Sequence, residues 1–137
     1  RQINVVEIVK EHLLTPYGLR SLSPKDNDYI GRYCGNVCER DRAYHQGTVW
    51  AWLIGPYISA YAKAYAGNKD ALEYIKGLFV PFYEHLFEAG LGTVSEIFDG
   101  DPPHTPRGCI SQAWSVAEIL RAYFEHVYGF EGEEENP

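Results

Sequence analysis

Methionine is absent from all 137 residues, and the first position is arginine. That absence points to a piece cut from a longer chain. No apolar run approaches the roughly eighteen residues that suggest a membrane-spanning helix, and no cleavable leader pattern opens the sequence. Neither membrane insertion nor secretion is expected, so the chain reads as cytoplasmic. A basic stripe is missing as well: 12 Lys and Arg stand against 19 Asp and Glu, a net charge of −7. We expect no nucleic-acid partner. Cysteine is scarce and odd in number, with Cys34, Cys38 and Cys109. The C-x3-C spacing with His45 nearby fits no strong zinc pattern and lacks a fourth ligand, which leaves reduced thiols and no metal site. No strand signal competes with the helical patterns.

What is present suits one ordinary domain, with 45% hydrophobic and 23% charged residues. Four helices can be read, over about 2–13, 47–66, 69–88 and 110–128. The second is apolar almost all round, as expected of a helix buried on both sides. Gly77 and Pro81 should weaken or kink the third. A loop of about thirty residues separates the first two helices and one of about twenty the last two, whereas the middle connection at Gly67 and Asn68 is short. The long loops should gather at one end, where a site would form. Residues 1–128 form the folded part, and 129–137 an acidic, disordered tail carrying four glutamates.

The chemistry concentrates in 93–117, TVSEIFDGDPPHTPRGCISQAWSVA. It sets Glu96, Asp99 and Asp101 in a Pro/Gly-stiffened loop, then Arg107, then Gln112 and Trp114 at the start of a helix. Acids beside planar donors and an indole suit an uncharged, polyhydroxylated substrate such as a sugar. Taken alone, Glu96 is either a carboxylate for glycosidic chemistry or a residue on a solvated loop. Asp99 lies only three positions away. The acid and base of an inverting glycosidase stand roughly 6.5–9.5 Å apart on opposite sides of the sugar. Asp99 is therefore read first as a loop-bracing partner for Arg107, and otherwise as an acceptor for substrate hydroxyls. Asp101 and the prolines around it look structural, and the twelve-residue calcium loop is absent.

A second constellation is RAYHQGTVW, 42–50. His45 and Gln46, placed just before the second helix, could grip adjacent hydroxyls or simply cap that helix. Trp50 could offer a ring face to a sugar, although core packing is the better reading, as it is for Trp114. Arg20, in TPYGLRSLS, either binds sugar or braces the first long loop, and Gln112 faces the site from the last helix.

The segment TVSEIFDGDPPHTPRGCISQAWSVAEIL closely resembles the C-terminal end of bacterial and archaeal glycogen debranching enzymes of the amylo-α-1,6-glucosidase type. LLTPYGLRSLSP and AYHQGTVWAWLIGPYISAY are similar to the segment that precedes it, so the resemblance runs over 13–123. One departure is Ala51-Trp52, where that family commonly has Pro-Trp. The resemblance implies an all-α fold, with four or so helices forming the C-terminal portion of an (α/α)6 toroid. It implies that Glu96 is the general base of an inverting glucosidase, drawing a proton from the water that attacks the anomeric carbon. The general acid would lie upstream of Arg1, leaving this piece inactive alone. His45, Gln46, Asp99, Arg107, Trp50, Gln112 and Arg20 are the implied substrate contacts. The implied partners are glycogen or another branched α-glucan such as a limit dextrin, and the N-terminal part of the same enzyme, with no cofactor. The alternatives are a non-catalytic carbohydrate-binding module and a helical partner-binding domain.

Overall fold

The computed structural model describes residues 1–129. It is built from helices arranged around a small, fully antiparallel sheet, and the sheet corrects the all-helical expectation. The strands are β1 (Leu14–Thr15), β2 (Gly18–Arg20), β3 (Val49–Trp50), β4 (Ile97–Phe98) and β5 (Pro106–Arg107), ordered β1-β2-β3-β4-β5. None exceeds three residues. A period-two alternation shows only over about four to eight residues, so these strands leave no pattern to read. They form because their side chains are buried: Val49, Trp50, Ile97 and Phe98 all lie inside the molecule. Gly18 makes the β1–β2 hairpin possible, since its φ is +131° and a methyl there would stand 2.3 Å from the carbonyl oxygen of Trp50. Only glycine permits both that conformation and that approach.

The helices are α1 (Gln2–His12), α2 (Val37–Ala43), α3 (Ile54–Ala64), α4 (Lys69–Gly77), α5 (Val80–His85) and α6 (Ala113–Tyr123). The helix expected over 47–66 begins later, at Ile54. Before it, the chain passes through β3 and a 3-10 turn, Ala51–Leu53. The physical reason stands in the sequence. Pro56 falls in the first turn of α3, where its missing N–H costs no hydrogen bond, whereas seven residues further in it would break one. The third expected helix is divided into α4 and α5 at Leu78 and Phe79, just after Gly77, and Pro81 occupies the first turn of α5. The fourth starts three residues late, at Ala113, and continues into a π-helical turn, Phe124–Tyr128. Helix α2 lies inside what reads as loop. A capping box starts it: the Asn36 side chain accepts the Glu39 N–H, and the Glu39 side chain accepts the Asn36 N–H.

Helix α3 is central, packed on α1, α4 and α6, with Ile54, Tyr57, Ile58 and Tyr61 turned into the core. At Gly55 a methyl would meet the Glu118 carboxylate at 2.3 Å, which sets how closely α3 and α6 approach. Among the described residues no helix is long and apolar enough to cross a membrane. The acidic-tail reading lies, from residue 130 on, outside the described residues.

Several large apolar side chains are mostly exposed: Val5 and Ile8 on α1, Tyr83 and Phe87 at α5, and Leu120 and Phe124 along α6 and its extension. Contiguous exposed apolar area of this kind favours association. In isolation the chain should therefore self-associate or pack loosely. Analytical ultracentrifugation paired with a thermal melt checks this; a monomer with a sharp cooperative transition would contradict it.

Candidate active site

The β4–β5 hairpin organises the site. Glu96 directly precedes β4, Asp99 directly follows it, and Arg107 ends β5. The Glu96 backbone N–H donates to the carbonyl of Cys109 at 2.9 Å, one residue beyond the partner that the β4–β5 register would give it. Its half-buried carboxylate is held on both oxygens: the Tyr44 hydroxyl donates to Oε1, and the Cys109 N–H donates to Oε2 at 2.9 Å. Gly108 makes the second contact possible. Its φ is +67°, and a methyl there would stand 2.6 Å from Glu96 Oε2.

Asp99 has a different environment, only 1% exposed. Its carboxylate accepts the Tyr33 N–H at 2.8 Å and faces Arg107 side-on, with Nε at 3.2 Å and Nη2 at 3.0 Å from Oδ2. Hydrogen bonding to Asp99 is the main influence raising the Arg107 guanidinium above its ordinary range, with partial burial opposing it. Its backbone N–H donates to the Thr105 carbonyl, so Asp99 also closes the loop it stands in. The rest of that loop is braced from two sides. Arg20 Nε donates to the Gly100 carbonyl at 2.9 Å, and Nη1 to the Leu14 carbonyl at 3.4 Å. The Tyr29 hydroxyl donates to Asp101 Oδ1 at 3.0 Å; burial, then this bond, raises the phenol above its usual range.

An aromatic wall stands beside Glu96. Tyr44 meets Trp50 edge-on at 4.6 Å between centroids, and His45 lies parallel to the Trp50 ring at 5.5 Å. Trp114 meets Trp50 at 6.0 Å and Trp52 at 5.7 Å. Trp50 is 7% exposed, and its Nε1–H donates to the Tyr44 carbonyl at 3.1 Å. Trp114 is 48% exposed, which corrects the reading of it as core: in the first turn of α6 it rests on Trp50 and Trp52 and leaves about half of its surface open. His45 and Gln46 need a correction of place. They follow the C-terminal end of α2 in the turn leading to β3, rather than preceding a helix, because the chain goes extended at Val49. His45 is exposed and Gln46 half-buried. Gln112 caps α6, its Oε1 accepting the Ala113 N–H at 3.1 Å, while its own N–H reaches the Val94 carbonyl at 3.0 Å.

The residues named from sequence thus divide into two groups about the β4–β5 hairpin. Glu96, His45 and Trp50 stand at the aromatic wall; Asp99, Arg107 and Arg20 stand in the loop bracing; Gln46 lies in the turn before β3 and Gln112 caps α6. Sequence reasoning missed Tyr44, although it sits inside the quoted AYHQGTVW stretch, and it missed His85. The latter is completely buried at the end of α5. Its Nε2 accepts the Ser95 backbone N–H at 3.2 Å, and its Nδ1 faces Glu88 Oε2 at 2.9 Å. A backbone N–H can only donate, so Nε2 is unprotonated and the ring proton is assigned to Nδ1. His85 thereby anchors the residue next to Glu96. Among the described residues, no cluster of three or more His, Cys, Asp or Glu side chains could hold a metal ion.

The sequence profile of a family described as amylo-alpha-1,6-glucosidase matches residues 1–121. The chain belongs to the amylo-alpha-1,6-glucosidase family. A glycogen debranching enzyme of Saccharomyces cerevisiae is 25% identical over 142 aligned positions, covering 90% of this chain and 9% of the yeast protein. The chain therefore spans about a tenth of the length of that relative. The family match ends within α6, after Glu96, Asp99, Arg107 and Gln112 have all been passed.

Gly108→Ala is expected to push the Glu96 carboxylate from the Cys109 N–H and to add the left-handed penalty of about 1–2 kcal/mol. Tm should fall measurably. A thermal melt together with the NMR shift of the Cys109 amide checks it; an unmoved amide and an unchanged Tm would mean that the contact does not need glycine here.

Proposed function

We propose that this chain is the C-terminal part of a glycogen-debranching α-1,6-glucosidase and that Glu96 is its general base. The observation that carries this reading is the Glu96 carboxylate itself: accessible on one side, held by a donor on each oxygen, and set beside an aromatic wall. Donors of that kind complement a carboxylate's negative charge. Water beside such a group loses its proton to the carboxylate as it attacks the anomeric carbon of an α-1,6-linked glucose. Attack from the side opposite the leaving oxygen inverts that centre. Protonation of the leaving oxygen falls to a carboxylic acid in the segment upstream of Arg1. Asp99 is a poor candidate for that acid, being buried and engaged by Arg107 and Tyr33.

Residues 1–128 would be the closing portion of an (α/α)6 toroid, with the exposed apolar side chains of α1, α5 and α6 turned to helices of the upstream part. A branched glucan, in the form of glycogen or its limit dextrin, is the substrate, and the enzyme works in the cytoplasm. His45, Gln46 and Gln112 offer donors and acceptors to glucose hydroxyls, and the His45–Trp50 stack backs them. Arg107 and Arg20 keep part of their side chains accessible while bracing the loop, and Asp99 fixes Arg107. Acid and base carboxylates suffice for this hydrolysis, so no cofactor enters the proposal.

One observation favours a second reading, a carbohydrate-binding module: the exposed Trp114 beside Trp52 offers an accessible ring face. The two are separated by Glu96→Gln in the full-length enzyme, which keeps the shape and removes the base. Glucose release from a limit dextrin should fall by about a hundredfold or more, with folding intact. Nearly unchanged turnover would move the function to binding.

A further inference from the structure

We propose that Tyr44 is a positioning residue for this site, its hydroxyl setting the rotation of the Glu96 carboxylate. This inference rests on Glu96 being the general base. The terminal torsion of a glutamate is broad and weakly preferred, so one contact leaves its carboxylate free to turn. The Cys109 N–H fixes Oε2 alone. The Tyr44 hydroxyl, bonded to Oε1, supplies the second point, and two points on different oxygens define the plane. A base must meet its water within about an ångström of the productive geometry, so the plane matters to rate as well as to stability.

Tyr44 is itself built for this task. It caps the C-terminal end of α2, its N–H donating to the Arg40 carbonyl at 3.0 Å. Its carbonyl accepts the Trp50 indole N–H, which ties it to β3. Its ring is hemmed edge-on by Trp50 at 4.6 Å and by His45 at 5.0 Å, with Tyr33 tilted against it at 5.8 Å. The phenol therefore has little freedom of its own to lose. Burial, followed by the bond to Glu96, raises its pKa above the ordinary phenol value, so the hydroxyl keeps its proton at neutral pH and remains a donor. The placement also gives a purpose to α2. That short helix, started by its own capping box in the midst of loops, brings a residue 52 positions before Glu96 against its carboxylate.

The test is a double-mutant cycle in the full-length enzyme, using Tyr44→Phe, Glu96→Gln and the pair, with glucose release from a limit dextrin as the readout and each kcat referred to the folded fraction. Tyr44→Phe keeps the ring and its aromatic neighbours. We expect it to lower kcat about 10–100-fold with KM changed by no more than about twofold. In the Glu96→Gln background the same change should have little further effect, because the group being positioned is no longer a base. A merely structural tyrosine would lose the same factor in both backgrounds, so losses that multiply overturn the proposal. A kcat within about twofold of wild type for Tyr44→Phe also overturns it, while a large loss from Glu96→Gln leaves the base assignment standing. Should Glu96→Gln itself turn over normally, the base assignment fails, and this inference falls with it.

Discussion

The pairing of Val49–Trp50 with Ile97–Phe98 at the centre of the sheet is what the site depends on. β3 brings the tyrosine–histidine–tryptophan wall, and β4 brings Glu96 on one side and Asp99 on the other. Two-residue strands have almost no stability of their own. Burial sustains this pair. Tyr17 stacks on the Phe98 ring at 4.5 Å and 6°, and His85 meets Phe98 edge-on while also accepting the N–H of Ser95. A few short ladders, closed over by aromatic rings, thus place side chains from three distant stretches of sequence.

The loop after β4 also shows how one short segment assigns different tasks to neighbouring acids. Glu96 and Asp99 differ by three positions, yet one is partly open and the other is 1% exposed. The difference lies in their partners. Asp99 meets a guanidinium and a backbone N–H and is sealed in as a brace, whereas Glu96 meets neutral donors and keeps one side accessible. Fixing the loop with a buried ion pair leaves the other acid outside the bracing, with its carboxylate partly open.

The sequence was a good guide wherever a signal is local. Helical periodicity located α1, α3, α4 and α6, and Gly77 and Pro81 marked the break between α4 and α5. The Asn36–Glu39 capping box and Pro56 were equally local signals, and reading them would have revealed α2 and the true start of α3. The sheet was illegible because none of its strands is long enough to alternate, and its pairings join residues far apart. Asp99 with Arg107, eight positions apart, was within reach of sequence reasoning. Tyr44 with Glu96 was not, since no pattern in either stretch announces the other.

The wide spacing of the strands along the chain has a consequence for assembly. Helices close through local contacts and can form early, but β2, β3 and β4 must be gathered from positions near 19, 50 and 97. Contacts of such long range carry a loop-closure cost that is met only after the intervening chain has collapsed. The glutamate's seat is then among the last features to form. Helix content therefore reports on the body of the chain, while the geometry that gives Glu96 a direction is reported only by the strand pairing.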